Sequence, residues 1–346
     1  MKISVGILGG TGYVGVELLR LLAVHAKVEV KWVTSEKFSG KKIWEVFPGL
    51  YKFLDSECIN IAQLSKLDRV DLVFSCLPHG ASMRFVGRLI ESGARVIDLS
   101  ADFRLKNPDI YEEWYKAKHI QRELLKEAVF GLPELHREDI KDAKLVANPG
   151  CYSTSVILGL APLAFRKLIK EDSTIVADSK AGMSGGGRAP SLESHYSESN
   201  ESVVAYRVEG LGQKSEMEEV LSGLAGERVK VAFIPHLVPM NRGILTTIYA
   251  ALKGEENLDE ILGLYKEFYS HSPFIRIYEK ESYPGVKNVR YSNFCDIGVG
   301  LQEDKFIAIV ALDNLGKGAS GQAVQNMNIM FSFPENEGLN FPGVFP

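Results

Sequence analysis

Residues 3–15 read ISVGILGGTGYVG: a short β-rich run reaches a glycine turn in which Gly10, Gly12 and Gly15 satisfy G-x-G-x-x-G. Val16, Leu18, Leu19, Leu21 and Leu22 then crowd a helix that ends near His25. The order strand, glycine turn, helix gives the motif its meaning. Glycines there permit a tight turn and bring backbone close to a pyrophosphate, whose charge meets the helix N-terminus. Gly10, Thr11, Gly12, Tyr13 and Val14 are therefore expected to hold a dinucleotide.

Outward from this motif, the runs 28–33, 70–76, 95–99 and 144–147 are each short, apolar and closed by turn residues. Helical patterns between several of them predict crossovers in a mostly parallel sheet. After Cys151 the character changes. A helix is predicted from about 152 to 165, with Pro162 as a site for a kink, followed by a strand at 174–178 and the glycine-rich MSGGGRAP. Longer strands at 228–234, 243–252 and 306–312 show alternating faces and long connections, which suit an antiparallel sheet. KGASGQAVQNMNIMF reads as one last helix, placed to pack back on the first domain. The expected fold is α/β: a Rossmann dinucleotide-binding domain over 1–150, completed by 315–346, and a second α+β domain over 151–314 built on a mostly antiparallel sheet.

The 346 residues exceed the usual size of one hydrophobic core, which agrees with two domains. An apolar fraction of 45% and a charged fraction of 24% are those of folded proteins. A net charge of -4 gives no sign of a nucleic-acid partner. The chain reaches its first glycine turn without the long apolar stretch of a signal peptide or membrane span, so a cytoplasmic protein is expected. Cys58, Cys76, Cys151 and Cys295 are scattered, with no Cys-x-x-Cys or Cys/His spacing, and predict free thiols and no metal site.

A site specific for NAD usually ends its second strand with an acidic residue, about 20 residues after the glycines. Here the strand ends in Val33, Thr34, Ser35, Glu36, Lys37. The hydroxyls of Thr34 and Ser35 followed by Lys37 suit a 2′-phosphate and favour NADP, while Glu36 leaves NAD open.

NPGCYSTS (148–155) carries the chemistry. Cys151 follows a Pro-Gly turn and opens a helix, where unpaired N–H groups and the helix dipole stabilise a thiolate. Cys76 and Cys295 lie inside apolar runs and read as buried, inert thiols. Cys58 reads as a surface or half-buried residue.

Taken in order, GGTGYVG, CLPHGAS, DLSADFRL, GLPELHRE, NPGCYSTS, PHLVPMNRGI and GASGQAVQNMNIM span nearly the whole chain. The set resembles the N-acetyl-γ-glutamyl-phosphate reductases, which group with the aspartate-semialdehyde dehydrogenase-like enzymes. The resemblance implies an NADP-binding Rossmann domain, a catalytic and dimerising α+β domain, and a homodimer or homotetramer. It also implies a reaction, the NADPH-dependent reduction of N-acetyl-glutamyl 5-phosphate to the semialdehyde in arginine biosynthesis, with release of phosphate. Cys151 matches the cysteine of the family's NPGCYPT pattern and is implied as the nucleophile; Ser153 stands where that pattern has proline. A thiolate can displace phosphate from an acyl phosphate, and the resulting thioester, unlike a carboxylate, accepts hydride. The resemblance further places Leu77 and Pro78 along the cofactor, Ser184 and Gly185 of the SGGG loop near the nicotinamide, and Asn314 against the cofactor. Arg104 and Arg242 are implied as ligands of the substrate phosphate or carboxylate, which guanidinium forks suit.

One family element is missing. The acid–base histidine lies in a stretch HRHxPE, but here LGQKSE puts Leu211 and Gln213 at the two histidine positions. His195 and His236 are the nearest histidines in sequence, and His236 is the expected substitute. Otherwise the enzyme works without a dedicated base, or it has lost catalysis and survives as an NADP-binding sensor. An acetylated or carrier-protein-bound aminoadipyl or glutamyl phosphate is the alternative substrate, because one methylene is weakly discriminated by apolar contacts.

Overall fold

The short apolar runs of the N-terminal half form one parallel sheet: β1 (Ile3–Leu8), β2 (Val28–Thr34), β3 (Cys58–Ile59), β4 (Leu72–Ser75), β5 (Arg95–Asp98), β6 (Val129–Phe130) and β7 (Leu145–Ala147). Their order is β3-β2-β1-β4-β5-β7-β6, with every pairing parallel. The order reverses between β1 and β4, the place in such sheets where ligands bind beyond the strand C-termini. β1 shifts register between Val5 and Gly6. Trp32 of β2 lies across Gly6, where any Cβ would come within 2.1 Å of the indole, and its Nε1 donates to Asp68 O at 3.0 Å.

The structure is a computed structural model and describes residues 2–303 and 305–345. The chain divides into two compact units, Met1–Pro149 with Ala319–Asn340 and Gly150–Gly318 with Phe341–Pro346. Helix Gly321–Met330 belongs to the first unit and is buried along its whole length. Asn326 Nδ2 donates to Gly131 O (2.9 Å) and Asn148 Oδ1 (3.0 Å), and Ser320 Oγ donates to Val14 O. The expected return of 315–346 to the first unit is thus corrected at both ends. Gly318 stays with the second unit through a bond from its N–H to Asp313 O. The tail from Phe341 rejoins that unit because Val344 N donates to Arg290 O at 3.0 Å.

The second unit holds a mixed sheet of β8 (Thr174–Gly182), β9 (Val204–Ala205), β10 (Lys230–Val238), β11 (Ile244–Ala251), β12 (Ile275–Ile277), β13 (Cys295–Gln302) and β14 (Lys305–Leu312). The order is β12-β13-β14-β11-β8-β10-β9. β8 pairs β10 and β12 pairs β13 in parallel; the other pairings are antiparallel. Cys58, expected near the surface, is fully buried on β3, and burial pushes its thiol up. Cys76 is half-buried rather than buried, yet burial and then Asp98 raise its thiol well above the usual range.

Helix Cys151–Phe165 packs on one face of this sheet. Gly159 permits the contact, since a Cβ there would lie 2.6 Å from Ile248 Cδ1 and 2.8 Å from Val310 Cγ2. Pro162 sits inside the helix and has no N–H to offer the carbonyl of Leu158. Tyr269 supplies the missing donor, its hydroxyl 2.6 Å from Leu158 O, and the Tyr265 hydroxyl donates to the next carbonyl, Gly159 O, at 2.5 Å. Tyr269→Phe strands the Leu158 carbonyl and is expected to lower the unfolding free energy by about 1 to 2 kcal/mol, read by thermal melts in near-UV circular dichroism.

Candidate active site

In the first unit the turn after β1 is shaped for close approach. Gly9 adopts φ +72°, where a side chain is strained. A Cβ on Gly15 would stand 2.6 Å from the Gly10 backbone, and one on Gly10 would stand 2.3 Å from Val33 Cγ1. Helix Tyr13–Leu22 therefore starts directly against the strands. A Cβ on Gly12 would meet nothing within 4 Å, and Gly12, as N-cap, gives the first turn no side-chain bond. An open, uncapped helix start fits a pyrophosphate.

Thr34 and Ser35 turn inward. Thr34 Oγ1 accepts from Gly9 N at 3.0 Å, Ser35 Oγ pairs with Thr11 Oγ1 at 2.8 Å, and both residues are buried. Their hydroxyls brace the glycine turn. Lys37 is exposed, with its ammonium 5.6 Å from the Phe38 ring. Leu77 Cδ2 lies 3.3 Å from where a Gly9 Cβ would stand, and Pro78 next to it is exposed. Arg104 is buried and donates from Nε to Asn148 O (2.7 Å) and from Nη2 to Leu99 O (2.8 Å). Its fork thus holds the backbone that leads into Pro149 and Cys151.

Asp98 closes β5 with a buried carboxyl that accepts from Ser82 Oγ and Ser100 Oγ. Burial first, and the charge of Asp102 second, push it up to about 6. An unfolded aspartate titrates near 3.8, so the folded state holds this proton more tightly. As pH rises from about 4 to 6 the unfolded chain gains from ionisation first and stability falls. Above 6 the loss is constant, on the order of 3 kcal/mol. Trp32, Trp44 and Trp114 all belong to this unit, so tryptophan fluorescence during urea unfolding reads it. Asp98→Asn is expected to gain stability relative to the parent between pH 4.5 and pH 7.

In the second unit Cys151 is the first residue of its helix, after an N-cap glycine that makes no side-chain bond. The N-terminal end of helix Gln213–Ala225 meets it. Gln213 Oε1 accepts from Tyr152 N (3.0 Å) and Ser153 N (3.2 Å). Glu216 Oε2 accepts from Gly150 N (3.1 Å) and Ser153 Oγ (2.7 Å). Gly150 is required by this contact, because a Cβ there would stand 2.2 Å from Gln213 Oε1. Glycine is required again at 318, where a Cβ would stand 2.8 Å from Cys151 Cβ. Tyr152 and Tyr206 join hydroxyls at 2.9 Å. Burial first raises both phenols, Tyr152 well above its ordinary range, and the Cys151 sulfur adds to the rise. Sequence reasoning missed Tyr206 as a neighbour of the thiol; its place in the family's tyrosine segment was the available signal.

Ser184, Gly185 and Asn314 come together. Asn314 Nδ2 donates to Ser184 Oγ at 3.0 Å, lies 4.0 Å from the position of a Gly185 Cβ, and its Oδ1 accepts from Gly243 N at 2.8 Å. Arg242 is buried, bonds Asp313 through Nε and Nη2 at 3.1 and 3.0 Å, and lies 4.5 Å over the Tyr291 ring.

His236 is not brought to the thiol. Phe233 on β10 meets the Tyr152 ring at 5.1 Å, which fixes the face of β10 toward the Cys151 helix, and alternation puts His236 on the other face. There its Nδ1 lies 3.3 Å from Asp178 Oδ1, off the line of a hydrogen bond. The expectation that it replaces the missing base is corrected by strand parity. His195 is exposed at the start of the short helix Tyr196–Ser199.

Residues 4–143 match the family model "Semialdehyde dehydrogenase, NAD binding domain" and residues 151–314 match "Semialdehyde dehydrogenase, dimerisation domain". The chain is 49% identical over 347 residues to N-acetyl-gamma-glutamyl-phosphate reductase of Geobacter metallireducens, covering 99% of this chain and 100% of that one. It is 47% identical over 348 residues to the protein of that name from Desulforamulus reducens, with the same shares covered. Among solved structures, aspartate semialdehyde dehydrogenase II of Vibrio cholerae, complexed with ASA, superposes with a TM-score of 0.73 at 16% identity over 96% of this chain and 99% of that one. Aspartate semialdehyde dehydrogenase with NADP from Candida albicans gives 0.71 at 16% identity over 97% and 99%. These two share the fold. With the relatives matched end to end, the chain belongs to the N-acetyl-gamma-glutamyl-phosphate reductase family.

Proposed function

We propose that the protein reduces N-acetyl-L-glutamyl 5-phosphate to N-acetyl-L-glutamate 5-semialdehyde with NADPH, through a thioester on Cys151. The observation that carries this reading is Cys151 at the first position of its helix, in a chain kin to the reductases along its full length. The helix dipole favours negative charge at the sulfur. The thiolate attacks the acyl carbon, the bond from that carbon to the phosphate oxygen breaks, and phosphate leaves with the electron pair. The glycine turn after β1 would hold NADPH, which would supply the hydride; as hydride adds to the thioester carbon, the bond from that carbon to the Cys151 sulfur breaks, the sulfur leaves as thiolate and the aldehyde is released.

Gln213 and Glu216 hold the first turn of the helix in place by accepting its free N–H groups. The same bonds set a limit. An amide oxygen and a carboxylate already use part of the positive field that serves the sulfur, and Gln213 cannot move a proton near neutral pH. Reaction without a dedicated base fits the good leaving group, with a rate below that of a base-assisted enzyme.

NADP over NAD is supported by the end of β2, where exposed Lys37 follows two hydroxyl residues that brace the turn. Ser184, Gly185 and Asn314 are read as residues that touch the nicotinamide. Homo-oligomers are supported by the dimerisation-domain match and by Val176 and Tyr249, which stand exposed at 40% and 41% on the sheet face away from the Cys151 helix. Among the described residues no helix is long and apolar enough to cross a membrane. A working thiol suits the reducing cytoplasm. The test is NADPH oxidation with synthetic N-acetyl-glutamyl phosphate, run beside the aminoadipyl homologue.

A further inference from the structure

We propose that a hollow in the second unit is an oxyanion-binding site whose cationic ligand is Arg290. The hollow has a volume of about 370 Å³ and is walled by Tyr196, Asn200, Asn241, Arg242, Arg290 and Tyr291, with no aspartate or glutamate in its lining. Two arginines line the hollow, and Arg242 is the one bonded to a carboxylate. Asp313 takes Arg242 and also accepts from the amides of Tyr291 (2.5 Å), Leu315 (2.8 Å) and Gly316 (3.0 Å). Its oxygens are fully engaged and its charge is matched to Arg242.

Arg290 is left over. Its Nε is buried and has no hydrogen-bond partner among the described residues, although a buried charged donor is costly to leave unmatched. The next residue, Tyr291, is held at φ +63°. A left-handed backbone at a tyrosine is strained, and such strain gathers at ligand sites. The tyrosine ring carries Arg242 on its face, and Tyr196, Asn200 and Asn241 make the wall near Arg290 rich in amide and hydroxyl groups. A planar guanidinium fork in that setting accepts a carboxylate or a phosphate.

Both anions are at hand if the reaction proposed above is right, since substrate and product carry a carboxylate and phosphate is released. The naming of these anions rests on that reading; the cationic site does not. Isothermal titration of the whole chain at fixed ionic strength, with N-acetyl-L-glutamate in one arm and inorganic phosphate in the other, distinguishes the sources. At least one is expected to bind at one per chain, with Arg290→Met weakening it tenfold or more and Arg290→Lys weakening it less. Lys287→Met, which removes an exposed charge from the same turn, is expected to bind as the parent does. Should Arg290→Met fail to fold, a loss of affinity in Arg290→Lys carries the test.

Equal binding by the parent and both Arg290 variants, binding of neither anion, or an equal loss in Lys287→Met would overturn the site. Arg290-dependent binding without NADPH oxidation would instead overturn the reaction and leave the site standing.

Discussion

Cys151→Ser is expected to abolish NADPH oxidation with N-acetyl-glutamyl phosphate, lowering turnover by at least about a thousandfold, the scale on which loss of a covalent nucleophile acts. The serine hydroxyl keeps the size and the helix position of the thiol but is not ionised near neutral pH. Stability should change little, because Cys151 is only partly buried and serine is suited to a helix start. Parallel assays of turnover and of thermal unfolding separate the two. A variant that keeps a tenth of the parent rate would remove the thiol from the mechanism.

Gln213→His is expected to do the reverse. The side chain at 213 lies directly over Gly150, which precedes Cys151, and accepts from the amides of Tyr152 and Ser153 in the first turn of its helix. An imidazole there still accepts from one of these amides, and it adds a group that gains and loses a proton. General acid–base help is worth about a hundred- to ten-thousandfold, so a rise of a hundredfold in kcat is expected, with a new ionisation near pH 6.5 in its pH profile. Gln213→Ala serves as the control: it strands two N–H groups, costs about 1 to 2 kcal/mol of stability, and brings no gain in rate. A flat profile with no gain in Gln213→His would mean that position 213 caps the helix and nothing more.

The fold was readable because each signal in it is local. The glycine spacing after β1, the short apolar runs and the helix that opens at Cys151 depend on neighbours within a few residues. What escaped depends on parity and on distant partners. The run 228–234 predicts a strand that stops before His236; β10 continues to Val238, and one step of alternation sends the ring to the far face. Arg104 and Arg242 are implied by resemblance as ligands of a substrate anion, while in the structure backbone carbonyls engage the first and Asp313 the second. Gln213 looked like a lost histidine. Only the meeting of two helix N-termini reveals it as a cap, and Arg290 in NVRYSNF carries no pattern at all.

The central claim is the thioester, and mass spectrometry tests it without any cofactor. Protein incubated with N-acetyl-glutamyl phosphate is expected to carry one N-acetyl-glutamyl group on the peptide that contains Cys151, with phosphate released in equal amount. Addition of NADPH should then clear the adduct as the semialdehyde. An unmodified Cys151, together with no NADPH oxidation by either the glutamyl or the aminoadipyl substrate, would contradict the account and leave a nucleotide-binding protein that has kept the fold without the chemistry.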